Sequence, residues 1–139
     1  MRSILKVVAA AAIAAAAVAV PAAAQAADGY VYAYKDAYFA GPYCKWVGND
    51  TDWATCSPGG SMLNTASSLW NNGYAGGYDD VNFYWGKSYT GAWDCLGVGT
   101  SWSNLQNQRF VYGAGKSGYG QSTNDNIASH KWVPYCGYP

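Results

Sequence analysis

One phrase occurs twice along this chain, and it constrains the fold more than any other feature. Tyr34-Lys35-Asp36-Ala37-Tyr38-Phe39-Ala40-Gly41 and Tyr84-Trp85-Gly86-Lys87-Ser88-Tyr89-Thr90-Gly91 both read aromatic, four residues, aromatic, one residue, Gly. Each is trailed by a second shared phrase, Asn64-Thr65-Ala66-Ser67-Ser68-Leu69-Trp70 and Asn126-Ile127-Ala128-Ser129-His130-Lys131-Trp132. That pair reads Asn-x-Ala-Ser-x-x-Trp both times. Two phrases recurring in one order predict two copies of one structural unit. Two copies alone cannot form a solenoid, so the expectation is a closed pseudo-symmetric domain.

The first 26 residues read as a leader. Arg2 and Lys6 form a short basic region, residues 7–20 carry no charge, and small residues follow up to Ala24-Gln25-Ala26. This is the pattern of a secretory signal peptide cleaved after Ala26. A membrane anchor needs about 20 apolar residues, and this run is shorter. The mature chain, residues 27–139, is therefore expected to be secreted and extracellular, with no membrane partner after cleavage. It loses two of the eight basic residues with the leader and keeps all eight acidic ones, every one an Asp. A faintly acidic chain with scattered lysines has no electrostatic footprint for nucleic acid.

The mature part is the length of one compact domain. It holds all 7 Trp, 13 Tyr, 3 Phe and 17 Gly. Aromatics and glycines with few helix formers favour short strands joined by tight turns. The fold class is read as all-β. Strands are predicted at residues 30–34, 43–47, 81–84, 109–112 and 131–133, each rich in aromatic or β-branched residues. No window keeps a 3.6-residue apolar period, so at most a single helical turn is expected. Residues 71–80 are read as the connection between the copies, with the pseudo-twofold between 74 and 80.

Cys44, Cys56, Cys95 and Cys136 in an exported domain predict two disulfides, and three pairings are open. Cys44 and Cys95 occupy near-equivalent places in the repeat, and each has a later cysteine in its own half. The favoured pairing is Cys44–Cys56 with Cys95–Cys136. A zinc site lacks Cys-x-x-Cys spacing, and His130 is the only histidine.

The doubled aromatic-x4-aromatic-x-Gly phrase followed by a serine-bearing loop resembles the βγ-crystallin Greek-key motif. The resemblance implies two Greek-key motifs, about 30–73 and 81–133, packed as a sandwich. It implies folded hairpins at 34–41 and 84–91, a left-handed backbone at Gly41 and Gly91, and tying serines at Ser67 and Ser129. The leader, the four cysteines and the run Asn64-Thr65-Ala66-Ser67-Ser68-Leu69-Trp70-Asn71-Asn72-Gly73 resemble more narrowly a family of small peptidase inhibitors secreted by actinobacteria. The best-known member inhibits thermolysin-like zinc metalloproteinases. That resemblance implies a monomeric, non-enzymatic protein whose partner is an extracellular peptidase, blocked by a rigid exposed loop.

Crystallin-type motifs also bind calcium through a stretch of Asn/Asp-Asn/Asp-x-x-Ser/Thr-Ser, which supplies hard oxygen ligands. The first copy has Leu63 where the leading ligand should stand. The second keeps Asp125 and Ser129 and ends in His130, so any calcium site there is single and weak; no other cofactor is implied. Catalytic signatures do not hold together. Gly113-Ala114-Gly115-Lys116-Ser117 has Phe110 where a phosphate loop needs its first glycine, and reads as a glycine turn. His130 aligns with Ser68 in the repeat, which suggests a loop-facing position. Asp50, Asp52, Asp79 and Asp80 read as solvated turn residues rather than a carboxylate pair. Trp70 and Trp132 match across copies and are assigned to the core. Trp46, Trp53, Trp85, Trp93 and Trp102 either fill the sandwich or form a platform for sugar rings.

Three functions compete on this evidence: a peptidase inhibitor, a cell-wall, carbohydrate-binding or antimicrobial protein, and a structural protein stabilised by weak calcium. For inhibition, two segments have the right character. The segment 48–61 carries Thr55, Cys56, Ser57 and Pro58, so a disulfide and a fixed φ brace it. The segment 97–108 is polar and follows Cys95. The first is preferred.

Overall fold

The computed structural model describes residues 25–139. The expected leader thus lies almost wholly outside the described residues. Strand β1 (Tyr30–Asp36) pairs antiparallel with β2 (Ala40–Trp46) and with β3 (Ser68–Asn72). Its side chains alternate as a half-buried strand must. Val31 and Ala33 face inward and are fully buried, while Tyr30, Tyr32 and Tyr34 line the outer face. There Tyr32 stacks on Trp70 of β3 with ring centroids 5.2 Å apart. In the second half, β4 (Asp80–Tyr84) pairs with β5 (Trp93–Leu96) and with β7 (Ser129–Val133), while the short β6 (Ser101–Trp102) joins the edge of β3.

The sheets therefore run β2-β1-β3-β6 and β5-β4-β7. Each half lends a segment to the other's sheet. The second half supplies β6, and the first supplies Asp50, which exchanges backbone hydrogen bonds of 3.1 and 3.0 Å with His130. The exchange locks the halves together. Between the sheets lies a core of Val31, Leu69, Met62, Trp53, Val81, Phe83, Leu96, Leu105, Phe110 and Ile127. Burying side chains of this size contributes on the order of 2 kcal/mol each.

Both repeated hairpins fold over as expected. Gly41 and Gly91 have φ of +76° and +80°, a region where any other residue is strained. Tyr34 meets Phe39 and Tyr84 meets Tyr89, each pair at 5.7 Å. One-turn 3-10 segments sit inside the hairpins at Ala37–Phe39 and Lys87–Tyr89, with a third at Leu105–Asn107. The described residues thus hold three such turns rather than one.

The tying serine of the first copy is Ser68, not Ser67. Its hydroxyl donates to the Asp36 carbonyl at 2.7 Å and accepts from the Phe39 amide at 3.0 Å. Ser129 does the same for Gly86 and Tyr89, at 2.6 and 3.1 Å. Pairing explains the correction. Ser68 stands opposite Tyr34 and Ser129 opposite Tyr84, so the copies align one residue away from the match of the Asn-x-Ala-Ser phrase. A one-residue slip flips every side chain to the other face. Trp70 and Trp132 are consequently not equivalent: Trp70 lies on the outer face against Tyr32, and Trp132 packs against the core beside Gly73. His130 takes the place of core Leu69 and is fully buried, not loop-facing. Trp53 and Trp93 are buried, Trp46 and Trp102 pack on the core, and Trp85 is partly exposed.

Other strand assignments also change: β3, β5 and β6 lie outside the predicted strands. Residues 109–112 form only isolated bridges, because Phe110 is drawn into the core and bonds locally to Gly120 and Gln121. Asn71 and Asn72, read as turn residues, end β3 instead. The Asn71 amide is buried and donates to the carbonyls of Asp79 and Leu96, while its carbonyl oxygen accepts from Gly73. The asparagine thus organises the start of the connection, which runs through residues 73–79. Asp80 is likewise a structural group. Its carboxylate accepts from the amides of Val98 and Cys136 at 2.9 and 3.0 Å. Cys44 is bonded to Cys56 and Cys95 to Cys136, the pairing favoured from the sequence.

Candidate functional site

After β2 the chain leaves the sheet, crosses to the second sheet at Asp50, and returns through a compact loop at residues 53–62. The base of this loop is closed by Met62, whose amide donates to the Trp53 carbonyl at 2.9 Å. The tip is closed by a reciprocal pair: Cys56 N–H donates to the Gly60 carbonyl at 2.9 Å, and Gly60 N–H donates back at 2.8 Å. The Cys44–Cys56 disulfide ties the tip to β2, and the Lys45 amide donates to the Ser57 carbonyl at 3.0 Å. A β-carbon on Gly59 would stand 2.6 Å from the Tyr43 carbonyl oxygen, so the tip lies hard against β2. The loop also covers the free edge of β2 at Cys44 and Lys45, which would otherwise invite pairing with another chain. Thr55, Ser57 and Pro58 nevertheless remain exposed.

Trp53 anchors this loop from below. Its ring is fully buried and stacks on Trp46 at 4.8 Å, and its amide donates to Ala128. The Trp53 indole N–H donates to Nδ1 of His130 at 2.9 Å. Nε2 of His130 lies 2.7 Å from the Gly48 carbonyl. A carbonyl only accepts and an indole only donates, so the imidazole is neutral with its proton on Nε2. Burial pushes the His130 pKa down to about 4, against the Gly48 carbonyl and Asp50, which favour the cation.

This depression has a sign. The unfolded chain binds a proton near pH 6.5 that the folded chain refuses until about pH 4. His130 therefore contributes stability above pH 6.5 that is lost as pH falls towards 4, roughly 3 kcal/mol in all. Asp94 carries the opposite sign. Burial pushes its carboxyl up to about 6, and the Cys95 amide only partly opposes this. Its contribution is present below the unfolded carboxylate value and lost as pH rises through 6. The two groups offset each other between pH 4 and 6.5. Urea midpoints of the native sequence are expected to be nearly flat across that window. Those of Asp94→Asn, which no longer titrates, should fall on acidification. An Asp94→Asn profile as flat as the native one would show that His130 does not resist protonation.

The rival segment at 97–108 is not a free loop. It contributes β6 to the first sheet and buries Leu105. The two residues read as a weak calcium pair are also separated in character. Asp125 is exposed, whereas Ser129 is fully buried with its hydroxyl committed to Gly86 and Tyr89. The repeat offset also aligns Asp125 with Asn64, both of which have positive φ. Ser129 is thus the tying serine of the second copy. Among the described residues, Asp80, Cys95 and Cys136 do cluster, but both cysteines are spent in the disulfide.

The model of peptidase inhibitor family I36 matches residues 19–96 of this chain. The chain belongs to peptidase inhibitor family I36. The match takes in the first motif with its whole 53–62 loop and ends at the last residue of β5. As a member of an inhibitor family, the protein is not an enzyme. No curated protein matches it. Among solved structures it is similar to one from work on the evolution of the eye lens beta-gamma-crystallin domain fold, with TM-score 0.56 and 19% identity over 80% of this chain and 90% of the other. A beta gamma crystallin from Ciona intestinalis gives TM-score 0.52 and 13% identity over 75% and 99%. A betagamma-crystallin domain from Flavobacterium johnsoniae gives 0.51 and 19% over 78% and 98%. This I36 member therefore has the βγ-crystallin fold. Its inhibitor sequence signature and its crystallin architecture meet in the motif that carries the braced loop.

Proposed function

We propose that the protein is secreted as residues 27–139 and inhibits an extracellular zinc metallopeptidase through the tip of the 53–62 loop, with Thr55, Ser57 and Pro58 in contact. The observation that carries this reading is the bracing of an exposed tip. A disulfide, the reciprocal Cys56–Gly60 hydrogen bonds and the bond from Lys45 to Ser57 hold residues that solvent can still reach. A preorganised loop loses little further ordering entropy on binding, so more of its contact energy appears as affinity. No cofactor enters the reading, because the tip groups are a hydroxyl pair and a proline ring. The chain acts as a monomer.

The test is residual activity of thermolysin-like and serine peptidases incubated with the oxidised protein. Stoichiometric loss of activity in the zinc enzymes is expected. Full activity of every peptidase at micromolar excess would overturn the reading.

One observation favours a second reading, saccharide binding. Tyr74 and Tyr78 are 66% and 67% exposed and, with Trp132 and Asn49, border a cleft of about 530 Å³. Aromatic faces beside an amide suit sugar rings. Retention on insoluble peptidoglycan or chitin tests it, and loss of retention in Tyr74→Ala/Tyr78→Ala would place the contact in that cleft.

A further inference from the structure

Strand pairing makes the two sheets comparable residue by residue. Tyr32, Tyr34 and Tyr43 of the first sheet correspond to Asn82, Tyr84 and Trp93 of the second, and Trp70 to Lys131. The outer face of the second sheet is covered. Tyr112 stacks on Trp93 with ring centroids 5.9 Å apart, and Cys95–Cys136 ties the C-terminal segment down. The Asn82 amide donates to the Tyr138 carbonyl at 2.8 Å. Asn82, Tyr84 and Trp93 are buried in consequence. The covering segment reads Pro134-Tyr135-Cys136-Gly137-Tyr138-Pro139, two tyrosines bracketed by two prolines.

The outer face of the first sheet has no such cover among the described residues. Tyr30, Tyr32, Tyr34, Tyr43 and Trp70 lie side by side there, and all five reach solvent. A contiguous exposed aromatic patch marks an interaction site. Tyr32 lies nearly parallel to Tyr34 and to Trp70, with interplanar angles of 15° and 22°. Side chains stand upright on a sheet, so these stacked rings turn their edges outward and their faces towards one another. Sugars stack on open ring faces, whereas prolines fit slots between upright rings. A slot of this kind is present, a cleft of about 340 Å³ bordered by Tyr34, Phe39, Trp70 and Ser101. Gln25 borders it too, and leaves with the leader on cleavage after Ala26. The Trp70 indole N–H is neither buried nor hydrogen-bonded among the described residues.

We infer that this face binds a proline-rich segment of a partner protein, held as a polyproline II helix in the cleft between Tyr34, Phe39, Trp70 and Ser101. Aromatic-lined grooves take such segments because the helix is already extended and loses little entropy on docking. Its carbonyls have no internal partners, so one of them can accept from Trp70. The occupant's chemistry is that of the cover the second sheet already carries. Charge agrees with it. At the Tyr30 end, Lys45 sits 4.3 Å over the Tyr30 ring and the Asp28 carboxylate accepts from Tyr32, one charge of each sign. The recognised core is therefore uncharged. The site goes beyond the inhibitory contact and stands whether or not a peptidase is inhibited.

The probe is decaproline, titrated into the oxidised protein and followed by NMR, with a Gly-Ser decamer and chitohexaose as parallel arms. Saturable shifts at the Trp70 indole and around Phe39, with half-saturation below about 1 mM, are expected from decaproline alone. No saturation by that concentration, an equal response to the Gly-Ser peptide, or shifts of this face by the saccharide instead would each overturn the assignment. So would a dimer held through this face in the protein alone, since the occupant would then be a second copy. Ser101 is exposed, so Ser101→Arg should fill the cleft, leave the fold intact and weaken decaproline binding about tenfold or more. Trp70→Phe keeps a ring against Tyr32 and removes the donor, which should cost about two- to tenfold. Either folded variant binding decaproline as tightly as the native protein would overturn the assignment.

Discussion

Replacing Cys44 and Cys56 by alanine is expected to abolish inhibition while leaving most of the two sheets in place. This bond spans 12 residues, and in the chain-entropy model a loop of that size is worth about 3 kcal/mol. Cys95–Cys136 spans 41 residues and is worth more on the same model, about 4 kcal/mol. Stability and function should therefore rank the bonds in opposite order. Cys95→Ala/Cys136→Ala should cost more in urea midpoint, because it frees the C-terminal segment that closes over Asp80. It should still inhibit when folded, since the 53–62 loop is untouched. Cys44→Ala/Cys56→Ala should cost less stability and lose inhibition by about a hundredfold or more, because only the main-chain bonds then hold the tip. Paired urea denaturation and inhibition curves on the two variants check both halves. Equal loss of inhibition in the two variants would mean that the bonds act through global stability alone.

Trp53→Ala should produce the largest loss of stability of any single substitution in the first motif. The ring is fully buried, and removing a buried Trp or Phe costs about 3–5 kcal/mol through lost transfer energy and the cavity left behind. That is a large share of the 5–15 kcal/mol typical of a whole domain. The substitution also leaves His130 Nδ1 without its donor, which adds the cost of an unsatisfied buried acceptor. The melting temperature should fall by roughly 15–30 °C. Trp53→Phe separates the two contributions. It keeps most of the volume and loses the N–H, so only about 1–3 kcal/mol should disappear. A Trp53→Ala protein that melts within a few degrees of the native one would remove Trp53 from its place as anchor of the loop.

The parts of this fold legible from sequence are those set by local backbone chemistry. Tyr34, Phe39 and Gly41, with Tyr84, Tyr89 and Gly91, announce the folded hairpins because the left-handed glycine and the aromatic lid lie within eight residues of one another. Register was not legible. The phrases around Ser67 and Ser129 match letter for letter, yet pairing with β1 and β4 aligns Ser68 with Ser129. Side-chain identity cannot report a strand's partner, and one residue of offset moved Trp70 to the outer face and His130 into the core. His130 shows the same limit energetically. A lone histidine beside a repeated serine looks loop-facing, and the groups that satisfy it, Trp53 and Gly48, lie 77 and 82 residues away. Phe110 misled in a simpler way: a β-rich run around it became a loop because one aromatic was needed in the core. The 53–62 loop was visible through Cys56 and Pro58. Its closure by main-chain bonds was not, since backbone groups leave no trace in composition.

The central claim is that the exposed tip of this loop makes the inhibitory contact. It is tested most directly by the inhibition constant of Thr55→Arg/Ser57→Arg against a peptidase that the native protein inhibits. Both side chains are exposed and neither takes part in the bracing of the loop, so the melting temperature should stay within a few degrees. Charge and bulk at the tip should weaken inhibition by about a hundredfold or more, the size of a lost interface hot spot. A folded double variant that inhibits as tightly as the native protein would contradict the account.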